Sequence, residues 1–282
     1  MSPITSLELK GGQLRPLILL TNDDGIGSPG LWALARAVQT LGDLLVVAPE
    51  TQQSAVGRGL GGNGDLIVHQ PPADVGVVGC YGVHGTPAAT VRQAVLALAP
   101  RPITLAIAGI NYGENVGTGI TVSGTVGAAI EAASHHIPSL AVSVETEIDH
   151  HFSHSEDVEF GAAAGIAARA ARMVLAEGLP AGVDVVKIDV PTTATAQTPW
   201  RLTRLTRQRY FESVVVDDGN GQKTLQGYSR EIDWAALEPD SDAHALLVDR
   251  VVSVCPLTID LSAMEALRAS QTWRRCCQPE RA

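Results

Sequence analysis

Short apolar runs alternate along this chain with stretches whose apolar residues fall three and four positions apart, the periodicities of buried strands and of helices packed on them. PLILLT (16–21) predicts a first strand. SPGLWALARAVQTLG follows, with Leu31, Leu34, Ala35, Val38 and Leu41 at helical spacing, Ser28 as N-cap, Pro29 in the first helical position and Gly42 as the stop. LLVVAP (44–49) predicts the second strand and closes a right-handed βαβ unit.

The same rhythm continues. TPAATVRQAVLALA (86–99), SGTVGAAIEAASHH (123–136) and residues 157–177 predict helices, while ITLAIAGIN (103–111), SLAVSV (139–144) and DVVKIDVP (184–191) predict strands. This order predicts an α/β, Rossmann-like fold, a mostly parallel sheet with helices on both faces. Beyond Pro191 the pattern turns polar and alternating, WRLTRLTRQRYFESVVV, as expected of antiparallel strands outside the core; RVVSVCPLTIDLSAMEALRAS adds a late strand and a short helix. The expected organisation is an extension (1–15), a Rossmann-like catalytic core (16–195), a β-rich excursion (196–249) and a C-terminal strand, helix and tail (250–282), the last two forming an extended arm.

Composition narrows the function. Hydrophobic residues at 45% suffice for a core, and a net charge of −10 argues against a nucleic-acid polymer as partner, because such binders need a basic stripe. A small phosphorylated substrate stays open, since one metal ion reverses a local field. The first twenty residues lack the apolar run of a signal peptide, and no stretch reaches the roughly 18 apolar residues of a membrane span, so the expectation is a cytoplasmic protein. Cys80, Cys255, Cys276 and Cys277 form neither a CxxC pair nor a zinc pattern, which fits a reducing compartment.

Ligands of such sheets bind outside the carboxyl ends of the strands. Four polar clusters fall there: Asn22-Asp23-Asp24-Gly25, PETQQSAVGRG around Ser54, GINYGENVGTGITVSGT, and VHGTPA, where Gly85 and Thr86 open a helix. The first contains Gly25-x-Gly27-x-x-Gly30, the spacing of a dinucleotide loop, with Glu50 where a ribose-binding acid would sit. An NAD(P)-dependent oxidoreductase is therefore one reading. Against it, Asp23 and Asp24 would repel a pyrophosphate, and Pro29 removes an N–H from the helix start. Adjacent carboxylates suit a hard divalent cation if the backbone turns at Gly25 and Gly27; a plain polar turn uses the same residues.

ILLTNDDGIGSPGLWALARAV, VVAPETQQSAVG, VHGTPAATVRQAV, AIAGINYGENVGTGITVSGTVGAAIEAASHHIPSLAVS and VSVCPLTIDLS together resemble the successive blocks of the SurE-type survival-protein phosphatases, over roughly residues 16–145 and 250–262. The resemblance implies a metal-dependent 5'-nucleotidase with a Rossmann-like core, assembled as a homodimer or homotetramer through its C-terminal region. It implies that Asp23, Asp24, Ser54 and Asn111 hold one Mg²⁺ or Mn²⁺, an all-oxygen set that such ions prefer. Two departures stand out. Thr51-Gln52-Gln53 replace a stretch usually richer in Arg and Asn, with Arg58 as the available substitute, and Gly119 and Val122 stand where many members carry Asp and Tyr.

The expected reaction is hydrolysis of a nucleoside 5'-monophosphate, or of short polyphosphate, by metal-activated water, with Asp23 and Asp24 as the catalytic pair. An aspartyl-phosphate route is disfavoured because a metal-ligating carboxylate is a poorer nucleophile. Asn22, Gly25, Asn115, Ser123, Gly124 and Thr125 are candidate phosphate or substrate contacts; Ser123 and Thr125 equally suit a helix cap, and Asn115 a turn. His84 reads as structural, His135 and His136 as a helix end, and His150, His151 and His154, which resemble a soft-metal cluster, as a solvated loop. Lys187 and Asp189 in an apolar strand predict a buried pair without chemistry. A catalytically silent oligomeric family member is the remaining alternative.

Overall fold

In the computed structural model, which describes residues 14–151, 155, 157–217, 219–270 and 272–273, the predicted alternation folds into a nine-stranded mixed sheet. Its first βαβ unit is β1 (Leu17–Thr21), α1 (Pro29–Val38) and β2 (Asp43–Pro49). Next come β3 (Gly62–Val68), β4 (Gly79–Gly85), α2 (Pro87–Gln93), β5 (Leu105–Tyr112), α3 (Gly124–Ser134), β6 (Ser139–Val144), α4 (Gly161–Glu177) and β7 (Val185–Val190). The last third adds β8 (Trp200–Leu202), β9 (Phe211–Asp217), β10 (Lys223–Arg230), α5 (Asp242–Leu247), β11 (Val252–Leu257) and α6 (Met264–Ala269). Strand order is β3-β4-β2-β1-β5-β6-β7-β11-β8, and the run from β4 to β7 is parallel.

The alternation of side chains explains the layers. Ile18 and Leu20 of β1, with Leu44 and Val46 of β2, join a core beneath α1 and α4, whereas Leu17, Leu19, Leu45 and Val47 face α2 and α3. Ala106 and Ala108 of β5 keep the second face shallow, so the glycine- and alanine-rich α3 lies close to the sheet. Each fully buried Leu or Val contributes about 1.5–3 kcal/mol. A third, small cluster of Val116, Tyr210, Leu237, Ala243 and Leu246 ties the glycine-rich loop after β5 to the late segments.

Several predicted boundaries move. α1 stops at Val38; Gly42 instead lets the chain pass β1, where a Cβ would lie 2.5 Å from the Pro16 carbonyl oxygen. Ser28 occupies the N-cap of α1 but its buried hydroxyl makes no cap bond. α2 gives way to a wider π turn at Ala94–Leu98, and α4 starts at Gly161. The polar stretch after Pro191 divides: β8 enters the main sheet beside β11, while β9 and β10 form a separate antiparallel hairpin. β3, β4 and α5 carry too few apolar residues in period to announce themselves. Among the described residues, no helix is long and apolar enough to cross a membrane. Cys80 and Cys255 are buried free thiols; Cys276, Cys277, His154 and nearly all of the predicted 1–15 extension lie outside the described residues.

Candidate active site

β1, β2 and β5 end side by side, and their loops meet. Asn22 builds the corner after β1: its Nδ2 donates to the Gly25 carbonyl at 2.9 Å, and its Oδ1 accepts the Gly25 N–H at 3.1 Å. Gly25 has φ +100°, a conformation costly for other residues. This clamp turns the backbone so that Asp23 and Asp24, 5% and 1% exposed, both point inward. The Gln53 N–H donates to the Asp23 carbonyl at 2.7 Å, which ties the corner to the loop carrying Ser54.

α3 closes the corner from the other side. The Thr125 hydroxyl donates to Asp23 Oδ1 and lies 3.1 Å from Asn111 Oδ1. Backbone N–H groups of Gly124 and Thr125 also serve Asp23, while Ser123 caps the helix by accepting the Val126 N–H at 3.1 Å. A Cβ on Gly124 would sit 2.6 Å from Asp23, so only glycine lets this helix start approach the carboxylate. Asn111 gives its Nδ2 to the carbonyls of Tyr112 (3.1 Å) and Gly113 (2.6 Å), leaving Oδ1 for the corner. Asp24 accepts from the Tyr112 N–H at 3.4 Å.

The electrostatics mark this place. Burial raises the Asp23 carboxyl against the pull of the Thr125 hydroxyl and nearby N–H groups. Burial, then the adjacent Asp23 charge, holds Asp24 well above the carboxylate range. A hard cation would relieve both effects, and the donors at hand are carboxylate, amide and hydroxyl oxygens, the chemistry Mg²⁺ and Mn²⁺ take. Among the described residues, no group of three or more His, Cys, Asp or Glu is placed to hold a metal ion, so a cation at this corner would also need the amide and hydroxyl oxygens.

A cavity of about 570 Å³ opens from the corner. Asp23, Ser54, Asn111, Asn115 and Ser123 line it, together with the rings of His151, Tyr210, Phe211 and Tyr228. Asn22, Asp24, Gly25, Gly124 and Thr125 stand behind this lining and shape it. Asn115 reaches Ser143 Oγ with its Nδ2 at 2.8 Å, and its N–H bonds Asp189 at 2.8 Å.

That last bond belongs to a network of which the sequence shows only part. Lys187 and Asp189 do form a buried pair, and Asp242, 3.0 Å from Lys187 Nζ, completes it. Asp242 also accepts the Gly117 N–H at 2.9 Å and the Thr206 N–H at 2.9 Å. Burial alone would lower the Lys187 ammonium, but the two carboxylates outweigh it and keep it charged. The triad thereby pins the glycine-rich loop. Beside it, buried Glu114 accepts from the Tyr210 hydroxyl at 2.6 Å and Arg230 Nε at 2.8 Å, which anchors the hairpin to the same loop.

Two expectations are corrected. His151 is buried in the cavity wall, its Nδ1 2.7 Å from the Tyr228 hydroxyl and its ring stacked over Gly113, where a Cβ would lie 2.4 Å from Nε2. Burial and the Arg230 charge depress its pKa to about 4. The polar DHHFSHSED context hides this burial because its partner, Tyr228, is 77 residues away. Arg58 does not replace the basic residues before Ser54; it pairs with the buried Glu131 at 2.8 Å, together with Arg92 at 3.1 Å.

The dinucleotide reading loses its geometry as well. Gly30 serves packing, since a Cβ there would meet the Ile110 carbonyl oxygen at 2.3 Å, and Glu50 is paired with His69 Nε2 at 2.9 Å.

Comparison with known proteins places this arrangement. The sequence model of the family described as Survival protein SurE matches residues 18–212. A protein of Thermococcus kodakarensis named 5'-nucleotidase SurE is 42% identical over 254 residues, covering 87% of this chain and 93% of the relative. One of the same name from Thermococcus gammatolerans is 43% identical, covering 87% and 91%. The crystal structure of the SurE protein from Aquifex aeolicus superimposes with a TM-score of 0.74 at 30% identity, over 92% of this chain and all of that one. With the family pattern matched across most of its length and the fold in common, this chain belongs to the SurE family.

Proposed function

We propose that the chain is a divalent-metal-dependent 5'-nucleotidase, a phosphomonoesterase acting on nucleoside 5'-monophosphates. The observation that carries this reading is the buried Asp23–Asp24 corner opening, beside Ser54 and Asn111, into a cavity far larger than a phosphate needs. The relatives named 5'-nucleotidase SurE support it.

Asp23, Asp24, Asn111 and Ser54 would hold one Mg²⁺ or Mn²⁺. Such an ion, when bound, offsets phosphate charge and acidifies a water. The residues do the rest. Asn22 and Gly25 fix the turn, and Thr125 and the start of α3 orient Asp23. Ser123 and Asn115 line the cavity and would contact the ester. Burial of the corner excludes bulk water from it, which strengthens every charge interaction there.

The organisation read from the sequence, a catalytic core to about residue 195 and an arm beyond it, is part of this proposal, with β8 and β11 of the later stretch returning to the main sheet. We infer that copies assemble through this arm, as a homodimer or homotetramer. Supporting this, Leu261 (91% exposed), Met264, Leu267 and Trp273 leave an apolar surface near the C-terminal end. The buried free thiols of Cys80 and Cys255 fit a reducing cytoplasm.

The test is release of inorganic phosphate from AMP, UMP and short polyphosphate with Mn²⁺ or Mg²⁺, against the same mixtures in EDTA. Metal-dependent release from the monophosphates is expected; NADH binding with no phosphate release would sink the reading.

A further inference from the structure

The cavity lining is of two kinds. Oxygen donors crowd the corner, whereas another part of the wall is made of rings: Tyr210, Phe211 and Tyr228 from the hairpin and the segment leading into it, and His151, whose carbonyl shares the Gln52 amide with Ser54. Phe211 stands at their centre, edge-on to Tyr210 (centroids 4.6 Å, 74°), Tyr228 (5.1 Å, 69°) and His151 (5.8 Å, 89°). Three perpendicular neighbours fix its orientation without hydrogen bonds.

The tyrosine hydroxyls of this wall are already engaged, while His151 Nε2 is buried with no hydrogen-bond partner. The Tyr210 hydroxyl serves Glu114, and the Tyr228 hydroxyl serves His151. What this wall offers a ligand is aromatic surface at its centre, with Arg209, Glu212 and Ser213 at its rim. Arg209 and Glu212 pair with each other at 3.3 Å. A wall of this composition stacks a flat heteroaromatic ring and gives little purchase for reading its edge.

We propose that Phe211, held by Tyr210 and Tyr228, is the nucleobase platform of this pocket, so that the start of the hairpin sets affinity for the base while the metal corner holds the phosphate. This rests on the phosphomonoesterase reading above. The platform accepts purines and pyrimidines alike, with purines ahead because their stacked area is larger. Its residues are positioned by the Glu114–Arg230 pair, which fastens the hairpin to the glycine-rich loop.

The experiment compares AMP, UMP and ribose 5-phosphate, which has no base, as substrates of the full-length protein loaded with Mn²⁺. Phe211→Leu keeps an apolar side chain but removes the ring, and Phe211→Trp keeps a ring. Phe211→Leu is expected to raise KM for AMP roughly 5- to 150-fold, the range for losing one base–aromatic stack, and for UMP less. Phe211→Trp is expected to retain the wild-type KM, and neither variant is expected to change ribose 5-phosphate turnover. Equal shifts for AMP and ribose 5-phosphate in Phe211→Leu, or no shift for AMP, overturns the platform while leaving the hydrolase reading standing. A wild-type protein that releases phosphate from none of the three esters overturns the parent reading and the platform with it.

Discussion

Two pairs of carboxylates are buried against the same sheet, and the fold treats them in opposite ways. Asp189 and Asp242 close around the Lys187 ammonium and spend their remaining oxygens on the N–H groups of Asn115, Gly117 and Thr206. Asp23 meets the Thr125 hydroxyl and backbone N–H groups, all neutral donors, and its charge presses on Asp24. The first pair brings its cation within the chain, although burial still raises the Asp189 carboxyl to about 6 against the pull of Lys187. The second is an electrostatic deficit that an added cation would fill. Burial of acidic residues is thus no mark of a site by itself; what distinguishes the site is where the compensating charge comes from.

The sharpest break of this contrast is Lys187→Met, which strands two buried carboxylates. It is expected to cost about 3–5 kcal/mol of unfolding free energy, read by denaturant titration. A loss below about 1 kcal/mol would show that the triad does not depend on its ammonium.

At the other pair, Asp24→Asn removes repulsion and a proposed ligand together. Metal-dependent phosphate release should fall on the order of 100-fold or more, while stability in EDTA holds or rises. Unchanged release would remove Asp24 from the ligand set.

Adding Mn²⁺ to about 100 times its Kd should stabilise the wild type by about 2.7 kcal/mol, seen as a higher Tm. Asp23→Asn should abolish most of that rise, whereas Phe211→Leu should keep it. A Tm indifferent to Mn²⁺ would count against the corner as a cation site.

The smallest effect is in pH. Both aspartates are raised by burial, so in EDTA the folded protein holds protons that the unfolded chain has released. Their contribution to stability is fully present below the ordinary carboxylate pKa of 3.8 and is lost as pH climbs through the elevated folded values. The buried His151, depressed to about 4, works in the reverse direction below its ordinary 6.5. The measurement is therefore the difference between wild type and Asp24→Asn across pH 4–8. That difference should shrink as pH falls in EDTA; a difference independent of pH would contradict the elevated values.

Much of the contrast is legible in sequence, though unevenly. Asp23 and Asp24 announce themselves because a strand, a turn and a helix start lie within a dozen residues, and local spacing settles what such a corner can do. Lys187 and Asp189 are visible as polar residues in an apolar strand. Asp242 is not, since 55 residues separate it from Lys187 and α5 is too short to show a period. His151 escapes for a similar reason: its surroundings read as solvent-exposed until the hairpin folds over them. β3, written GNGDLIV and largely exposed, lacks the apolar alternation on which strand prediction relies. Proximity created by long-range folding is what spacing cannot encode.

The order β7-β11-β8 has a consequence for biosynthesis. On the ribosome, β7 and β8 emerge some fifty to sixty residues ahead of the strand that must lie between them, so the nascent sheet waits with a bare edge and a detached neighbour. A stop codon before residue 252 would leave that gap permanently, which makes premature termination in this gene a source of aggregation rather than of a shortened working enzyme.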